Sequence, residues 1–161
     1  MLNVTEKIPL LPSFFAAPLR ILPATAHTIL LTKFLNRALS EQIKADELYF
    51  LNNKRLCISV KDAGIKFYLS FVNGRLINVG AKEKNDVEIT ACIYDFLQIA
   101  ARQQDPDSLV FQRRLIMQGD TELALELKNF LDAVDLSASS GFVKIEAALL
   151  RLLPVYKRLF S

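Results

Sequence analysis

The sequence contains few of the residues from which catalytic and metal centres are usually built. Among its 161 residues there are no tryptophans, one histidine (His27), two cysteines (Cys57 and Cys92) and five glycines. The cysteines form no CxxC pair, which argues against a zinc site or a disulfide framework and favours a reducing compartment. The glycines form neither GxGxxG nor GxxxxGK[ST], so no known phosphate-binding loop is present.

The remaining polar residues lack the partners that catalysis requires. Asp105 and Asp107 flank a proline in a sequence typical of a capped turn. Arg113 and Arg114 fall in a strand-like run, where we expect one solvated side chain and one paired with a carboxylate. We therefore predict a protein that is not an enzyme and uses no cofactor or metal, with catalysis at Cys57 or Asp105 as the alternative.

Apolar residues, by contrast, are in surplus. The chain is 52% hydrophobic and 23% charged, with a mean hydropathy of +0.25, so it is not disordered and its apolar surface must be covered. Its length fits one domain. The net charge of +3 is too small to predict a nucleic-acid partner. The charge is also uneven, because residues 1–44 and 141–161 each carry +3 and the middle carries −3.

The most apolar stretch lies near the N-terminus. Between Ile8 and Leu31 the only formal charge is Arg20, but four prolines divide this run into pieces shorter than the roughly 20 residues of a membrane span. We predict neither a spanning helix nor a secretion signal, and hence a cytoplasmic protein. Two arrangements of this arm stay open: it packs on the domain, or it dips into the membrane interface.

Apolar periodicity predicts an α+β domain. Helical spacing indicates helices over about 23–44, 94–102, 120–134 and 142–160, the last one kinked or restarted at Pro154. Alternation indicates two short strands within 48–60 and further strands at 65–71, 75–79, 87–91 and 115–118. Asn73-Gly74 predicts a tight hairpin turn, and Asp120 an N-cap. The strand at 87–91 has one apolar face, which favours an antiparallel, half-buried sheet.

Several short runs resemble those of a known family. They are AARQQDPD at 100–107, FQRRL at 111–115, GDTEL at 119–123, LKN at 127–129, LDA at 131–133 and the hairpin FVNG at 71–74. In combination they resemble ubiquinone-biosynthesis accessory factors whose core belongs to the sterol carrier protein 2 lipid-binding family. The resemblance covers about residues 45–136. It implies a five-stranded, mainly antiparallel sheet covered by helices around a hydrophobic tunnel, with extra amphipathic helices in 1–44 and 142–161.

The resemblance also implies a function. Such a factor of oxygen-independent ubiquinone biosynthesis binds isoprenoid quinone precursors or phospholipid in its tunnel. It presents them to the pathway hydroxylases of the UbiU–UbiV type, and it needs no catalytic residue of its own. The alternative is an assembly module that binds partner enzymes through its apolar helices and carries no lipid.

Periodicity selects the residues predicted to line the tunnel, because strand ends and helix caps explain the family motifs. The predicted wall consists of Phe67, Leu69, Phe71, Leu97, Phe111, Leu115, Leu123, Leu127, Phe130 and Leu131. Packing in a closed core explains each of these positions equally well. Separately, Lys144, Arg151 and Arg158 recur every seven residues on one helix face. We predict that they dock on anionic lipid at the inner face of the membrane.

Overall fold

The computed structural model describes residues 8–14, 17, 21, 23–81, 84–134 and 142–160. Its helices are α1 (Ala24–Ala38), α2 (Ser40–Lys44), α3 (Ile93–Ala100), α4 (Pro106–Phe111), α5 (Thr121–Ala133) and α6 (Phe142–Phe160), with a 3₁₀ helix at Tyr49–Leu51. Its strands are β1 (Arg55–Val60), β2 (Ile65–Val72), β3 (Arg75–Asn78), β4 (Val87–Ala91) and β5 (Ile116–Gly119). These elements confirm the predicted α+β class.

The five strands form one mixed sheet in the order β3-β2-β1-β4-β5. Three of its pairings are antiparallel, as expected, but β1 and β4 run parallel, with Leu56 opposite Val87. The prediction that the strand at 87–91 lies in antiparallel surroundings is therefore wrong on its β1 side. The sequence pattern does not show the direction of the neighbouring strand, because a strand with one buried face alternates in the same way in either direction.

The hairpin between β2 and β3 forms as its sequence predicts. Val72 pairs with Arg75, so only two residues make the turn. Asn73 and Gly74 have φ values of 50° and 72°, in the left-handed region that a tight hairpin turn requires. This local signal therefore fixes the register of β2 on β3.

Two predicted elements near the start of the domain differ in the structure. The helix expected over 23–44 is interrupted at Leu39, which separates α1 from α2. The first strand expected within 48–60 is instead the 3₁₀ helix. Leu48 and Leu51 are both buried, and their spacing of three places them on one side of a helical turn.

Two helices further along the chain also depart from expectation. Helix α4 was not predicted, because six residues are too few to show a helical period. Asp105 caps it, since its carboxylate accepts a hydrogen bond from the Ser108 backbone N–H at 2.7 Å. Helix α6 runs through Pro154 without restarting. No helix in the described part of the chain is both long enough and apolar enough to cross a membrane.

The main core lies on one face of the sheet, beneath helix α5. We call it the apolar layer and define it by its ten buried residues: Leu39, Leu48, Leu51, Leu56, Phe71, Leu76, Val87, Ile89, Leu123 and Leu127. Helix α1 runs beside the edge strand β3. There the Asn36 side chain pairs with both the N–H and the C=O of Leu76, each at 2.8 Å, and so covers part of the open edge.

A close approach of backbone explains the glycine of the GDTEL run. Gly119 ends β5 with φ of 110°, and a Cβ added there would overlap the carbonyl oxygen of Asp86. Asp120 follows, and its carboxylate accepts from the Leu123 N–H at 3.0 Å. This cap starts α5 directly over the apolar layer, as predicted.

Candidate functional site

Helix α5 forms one wall of the apolar layer. Leu123 and Leu127 are buried in it, while Phe130, Leu131 and Val134 are partly buried against it. Their spacing of three and four residues keeps them on one face of the helix. Leu125 points away from the layer and is 54% exposed. The wall is therefore apolar along its whole length.

The facing wall comes from the sheet. Phe67, Leu69 and Phe71 alternate along β2 and so share one face, opposite Ile58 and Leu56 of β1. Leu69 and Phe71 are buried, and Phe67 is partly buried. Since Phe71 belongs to the apolar layer, all three residues of β2 lie on the face that carries it.

The layer is only partly covered where α5 ends. Phe50 of the 3₁₀ helix lies against Phe130, with ring centroids 5.9 Å apart, and both rings are only partly buried. No sequence pattern indicates a role for Phe50, because its segment is predicted to be a strand. The pair therefore closes this end of the layer incompletely.

A cleft of about 120 Å³, open to solvent, lies beside the same end of α5. Leu131 and Val134 line the cleft and also pack against the apolar layer. The rest of its lining is largely polar and consists of Ile99, Arg102, Gln104, Asp105, Pro106 and Asp132. An apolar floor with a polar rim suits an amphiphile whose chain enters and whose polar group stays at the mouth.

Five of the ten residues predicted for the tunnel wall belong to the layer or pack against it: Phe71, Leu123, Leu127, Phe130 and Leu131. Phe67 and Leu69 share the face of β2 that carries Phe71. The other three lie elsewhere. Leu97 packs between α3 and α6, beside Tyr94 and Leu153. Leu115 is buried in a second cluster with Ala91 and Leu109, which Phe96 and Met117 join to the layer.

Phe111 departs most clearly from its predicted place in the wall. It ends α4 and is 90% exposed. Leu109, two residues earlier, is completely buried, and two residues along a helix correspond to more than half a turn. Phe111 is therefore directed away from the core, which corrects its assignment to the wall.

A buried ion pair lies outside the layer. Asp95 of α3 pairs with Arg114, which also donates to the Gln98 side chain at 3.1 Å. Burial raises the pKa of Asp95, while the hydrogen bond and charge of Arg114 act to lower it. Arg113 is exposed, so one of the two adjacent arginines is solvated and the other is paired with a carboxylate, as expected. The two residues nevertheless lie in a turn after α4 rather than on a strand.

The residues considered for catalysis are buried, cap a helix or form an ion pair. Cys57 and Cys92 are buried, and burial is the main cause that raises the pKa of each thiol to about 11. Both therefore stay protonated at neutral pH, and a protonated thiol is a poor nucleophile. Asp105 caps α4, and Asp107 pairs with Lys128 of α5. Within the described residues no three His, Cys, Asp or Glu side chains are grouped as a metal site.

The described start of the N-terminal arm packs on the domain. The Asp62 carboxylate accepts from the backbone N–H groups of Leu11 and Ile93, each at 2.9 Å. Pro9 is fully buried, and Ile8 packs into the cluster between α3 and α6. Of the two arrangements left open, residues 8–11 therefore adopt the packed one.

The residues predicted to dock on lipid all belong to α6. Arg151 and Arg158 are exposed. Lys144 lies within the helix, but its side chain is outside the part that the structure describes. Helix α6 packs on α3, where Tyr156 stacks on Tyr94 with ring centroids 5.8 Å apart.

A five-stranded sheet with an apolar layer under one helix is the architecture expected of a lipid-carrier domain. Comparison with known families agrees: the chain belongs to the SCP-2 sterol transfer family, whose model matches residues 31–132. The match begins within α1 and ends within α5, so it includes every strand and both walls of the layer. This confirms the resemblance seen in the sequence.

Individual relatives show which members of the family this chain resembles. Over 125 residues the chain is 40% identical to the ubiquinone biosynthesis accessory factor UbiT of Escherichia coli (strain K12), which covers 78% of this chain and 71% of that protein. UbiT of Escherichia coli O157:H7 matches to the same extent. A solved structure described as UbiJ-SCP2 ubiquinone synthesis protein superposes with a TM-score of 0.53 at 22% identity, covering 67% of this chain and 90% of that one. That structural likeness supports the fold alone.

Proposed function

We propose that this protein is a non-catalytic lipid-binding accessory factor of ubiquinone biosynthesis, in its oxygen-independent branch. Its ligand is an isoprenoid quinone precursor or a phospholipid, held with its chain in the apolar layer. The observation that carries this proposal is that Leu131 and Val134 belong both to the open cleft and to the layer. The similarity to UbiT supports the pathway, and the family supports the ligand class.

The energetics of such a complex rest on the chain rather than on the head group. Each buried CH₂ contributes about 0.8 kcal/mol, so ten methylenes contribute roughly 8 kcal/mol. Association and ordering cost on the order of 4–15 kcal/mol, so a long polyprenyl or acyl tail is needed for firm binding. The polar rim of the cleft would leave the head group at the surface, where a pathway hydroxylase of the UbiU–UbiV type could reach it.

A tryptophan in the layer tests the proposal. Leu127→Trp places a larger side chain in the apolar layer beneath α5, whereas Leu125→Trp places the same side chain on the solvent side of the same helix. We expect native mass spectrometry to show bound lipid in the Leu125 variant and little in the Leu127 variant, with both folded by circular dichroism. Should Leu127→Trp destabilise the fold, Phe71→Trp provides a smaller change in the same layer.

Two results would contradict the carrier function. One is wild-type protein that is recovered free of lipid and takes up neither a polyprenylphenol nor a phospholipid. The other is a folded Leu127→Trp variant that binds as much lipid as the wild type.

The assembly module stays a second candidate because of one observation, the 90% exposed ring of Phe111. An exposed aromatic side chain is a typical anchor for a protein partner. If the assembly function is correct, Phe111→Ser abolishes the capture of pathway hydroxylases and Leu127→Trp has no effect on quinone synthesis. If the carrier function is correct, Leu127→Trp lowers the quinone content of anaerobically grown cells.

A further inference from the structure

Helix α6 has two apolar sides, and among the described residues only one of them packs on the domain. Leu153 is buried, and Leu149, Tyr156 and Phe160 are partly buried on the side that meets α3. This side explains how the helix is attached to the domain. It does not explain the aliphatic residues on the neighbouring side of the helix, roughly a quarter of a turn away.

The neighbouring side carries a row of exposed aliphatic residues, which we call the outer stripe: Leu152, Val155 and Leu159, exposed by 57%, 51% and 67%. Spacings of three and four residues align them along the helix. The first and last residues of the stripe are seven positions apart, or about 10 Å at 1.5 Å per residue, so it lies along a surface rather than across a bilayer. Exposing three aliphatic side chains in one row is unfavourable unless something covers them.

Arginines flank the outer stripe. Arg151 and Arg158 are exposed and seven residues apart, which places them on the same side of the helix. Neither forms an ion pair with a carboxylate among the described residues. From 147 to 160 the helix contains no acidic residue. The exposed side of α6 therefore combines aliphatic and cationic groups with no negative charge.

We propose that the outer stripe docks on the surface of an anionic phospholipid bilayer. Leu152, Val155 and Leu159 enter the interface, while Arg151 and Arg158 bind lipid phosphates. A helix that lies in the membrane plane needs this combination of an aliphatic row and neighbouring cations. The inference rests on the proposed function, because a carrier of a membrane lipid must exchange its cargo with a bilayer.

Vesicle flotation of the full chain tests this surface. The vesicles contain either phosphatidylethanolamine with phosphatidylglycerol or phosphatidylcholine alone. We expect binding to the anionic vesicles that weakens as salt is added. Arg151→Gln with Arg158→Gln should weaken vesicle binding about 25-fold, from roughly fivefold per arginine.

The apolar part of the surface needs its own variant and controls. Serine at all three positions of the outer stripe should weaken vesicle binding by at least about tenfold. Leu125→Ser is the control for an exposed leucine, and Arg75→Gln with Arg113→Gln is the control for two exposed arginines. The controls should bind vesicles as the wild type does.

The inference is overturned if the α6 variants bind vesicles as the wild type does. It is equally overturned if the control variants lose as much vesicle binding as the α6 variants lose. It is also overturned if the variants change the oligomeric state in light scattering and not vesicle binding, since a second copy would then cover the stripe. Native mass spectrometry of the same samples separates the two proposals. Retained lipid without vesicle binding contradicts only the docking surface, whereas vesicle binding without lipid contradicts only the carrier function.

Discussion

Replacing Arg114 by methionine should destabilise the fold far more than the same change at its exposed neighbour Arg113. The variant would leave the carboxylate of Asp95 buried without its cation. Asp95 is fully buried, and the side chain of Arg114 is only 13% exposed, so solvent cannot take the place of the ion pair. Removing one partner of such a pair costs about 3–5 kcal/mol.

The corresponding change in Tm follows from the size of the chain. For a domain of this length, each kcal/mol changes Tm by about 2–4 °C, so Arg114→Met should lower it by roughly 6–20 °C. Arg113→Met removes a solvated arginine and should change Tm by no more than about 2 °C. Asp95→Asn combined with Arg114→Met should recover much of the loss, because a neutral amide needs no cation.

The loss of stability in Arg114→Met should also depend on pH. Burial already raises the pKa of Asp95 in the folded protein above its ordinary value of 3.8, and removing Arg114 takes away the main influence that lowers it. A folded-state pKa above the unfolded one means that the native protein binds the proton more tightly. The penalty of the unpaired carboxylate is therefore absent below pH 3.8 and fully present above the raised pKa.

Thermal unfolding followed by circular dichroism at several pH values tests this reasoning. Arg114→Met should approach the wild type as the pH falls from 7 towards 4, and the double variant should not show this dependence. Equal Tm values for Arg114→Met and Arg113→Met would refute the role of the ion pair. So would a deficit that is the same at every pH.

Three further outcomes follow from the described contacts. Gly119→Ala should cost at least about 1–3 kcal/mol in chemical denaturation, because of its positive φ and the nearby Asp86 carbonyl, and a wild-type midpoint would contradict this. Cys57 and Cys92, with pKa values of about 11, should react with iodoacetamide at pH 7 only after unfolding; rapid labelling of the native protein would show that burial does not protect them. Asp62→Asn keeps one of two acceptor oxygens and should lower the free energy of unfolding by about 1–3 kcal/mol, with faster hydrogen exchange in the N-terminal arm. Unchanged exchange would show that the Asp62 carboxylate does not hold the arm on the domain.

Features encoded by neighbouring residues could be predicted from the sequence. Asp120 and the spacing of Leu123 and Leu127 predict the start and buried face of α5, and Asn73-Gly74 predicts the hairpin. In each case the signal lies within a few residues of the structure it determines. The family motifs extend this local information to the architecture of the whole sheet.

Features that depend on distant segments could not be predicted. The parallel pairing of β1 with β4 is set by the path of the chain between them, which alternation does not reveal. Apolar spacing shows that Leu97 has a buried side, but not that α6 rather than the sheet covers it. Asp95 finds its cation 19 residues away in sequence, so nothing near Asp95 indicates the pair.

We propose that a lipid chain lies between the sheet and α5, and photo-crosslinking can locate that chain. A phospholipid or polyprenylphenol with a photoreactive group near the end of its chain would be loaded into the protein, and the labelled peptides identified by mass spectrometry. We expect labels on β2 around Phe71 and on α5 around Leu127. Labels confined to α6 and the surface around Phe111, with none on β2 or α5, would contradict the claim.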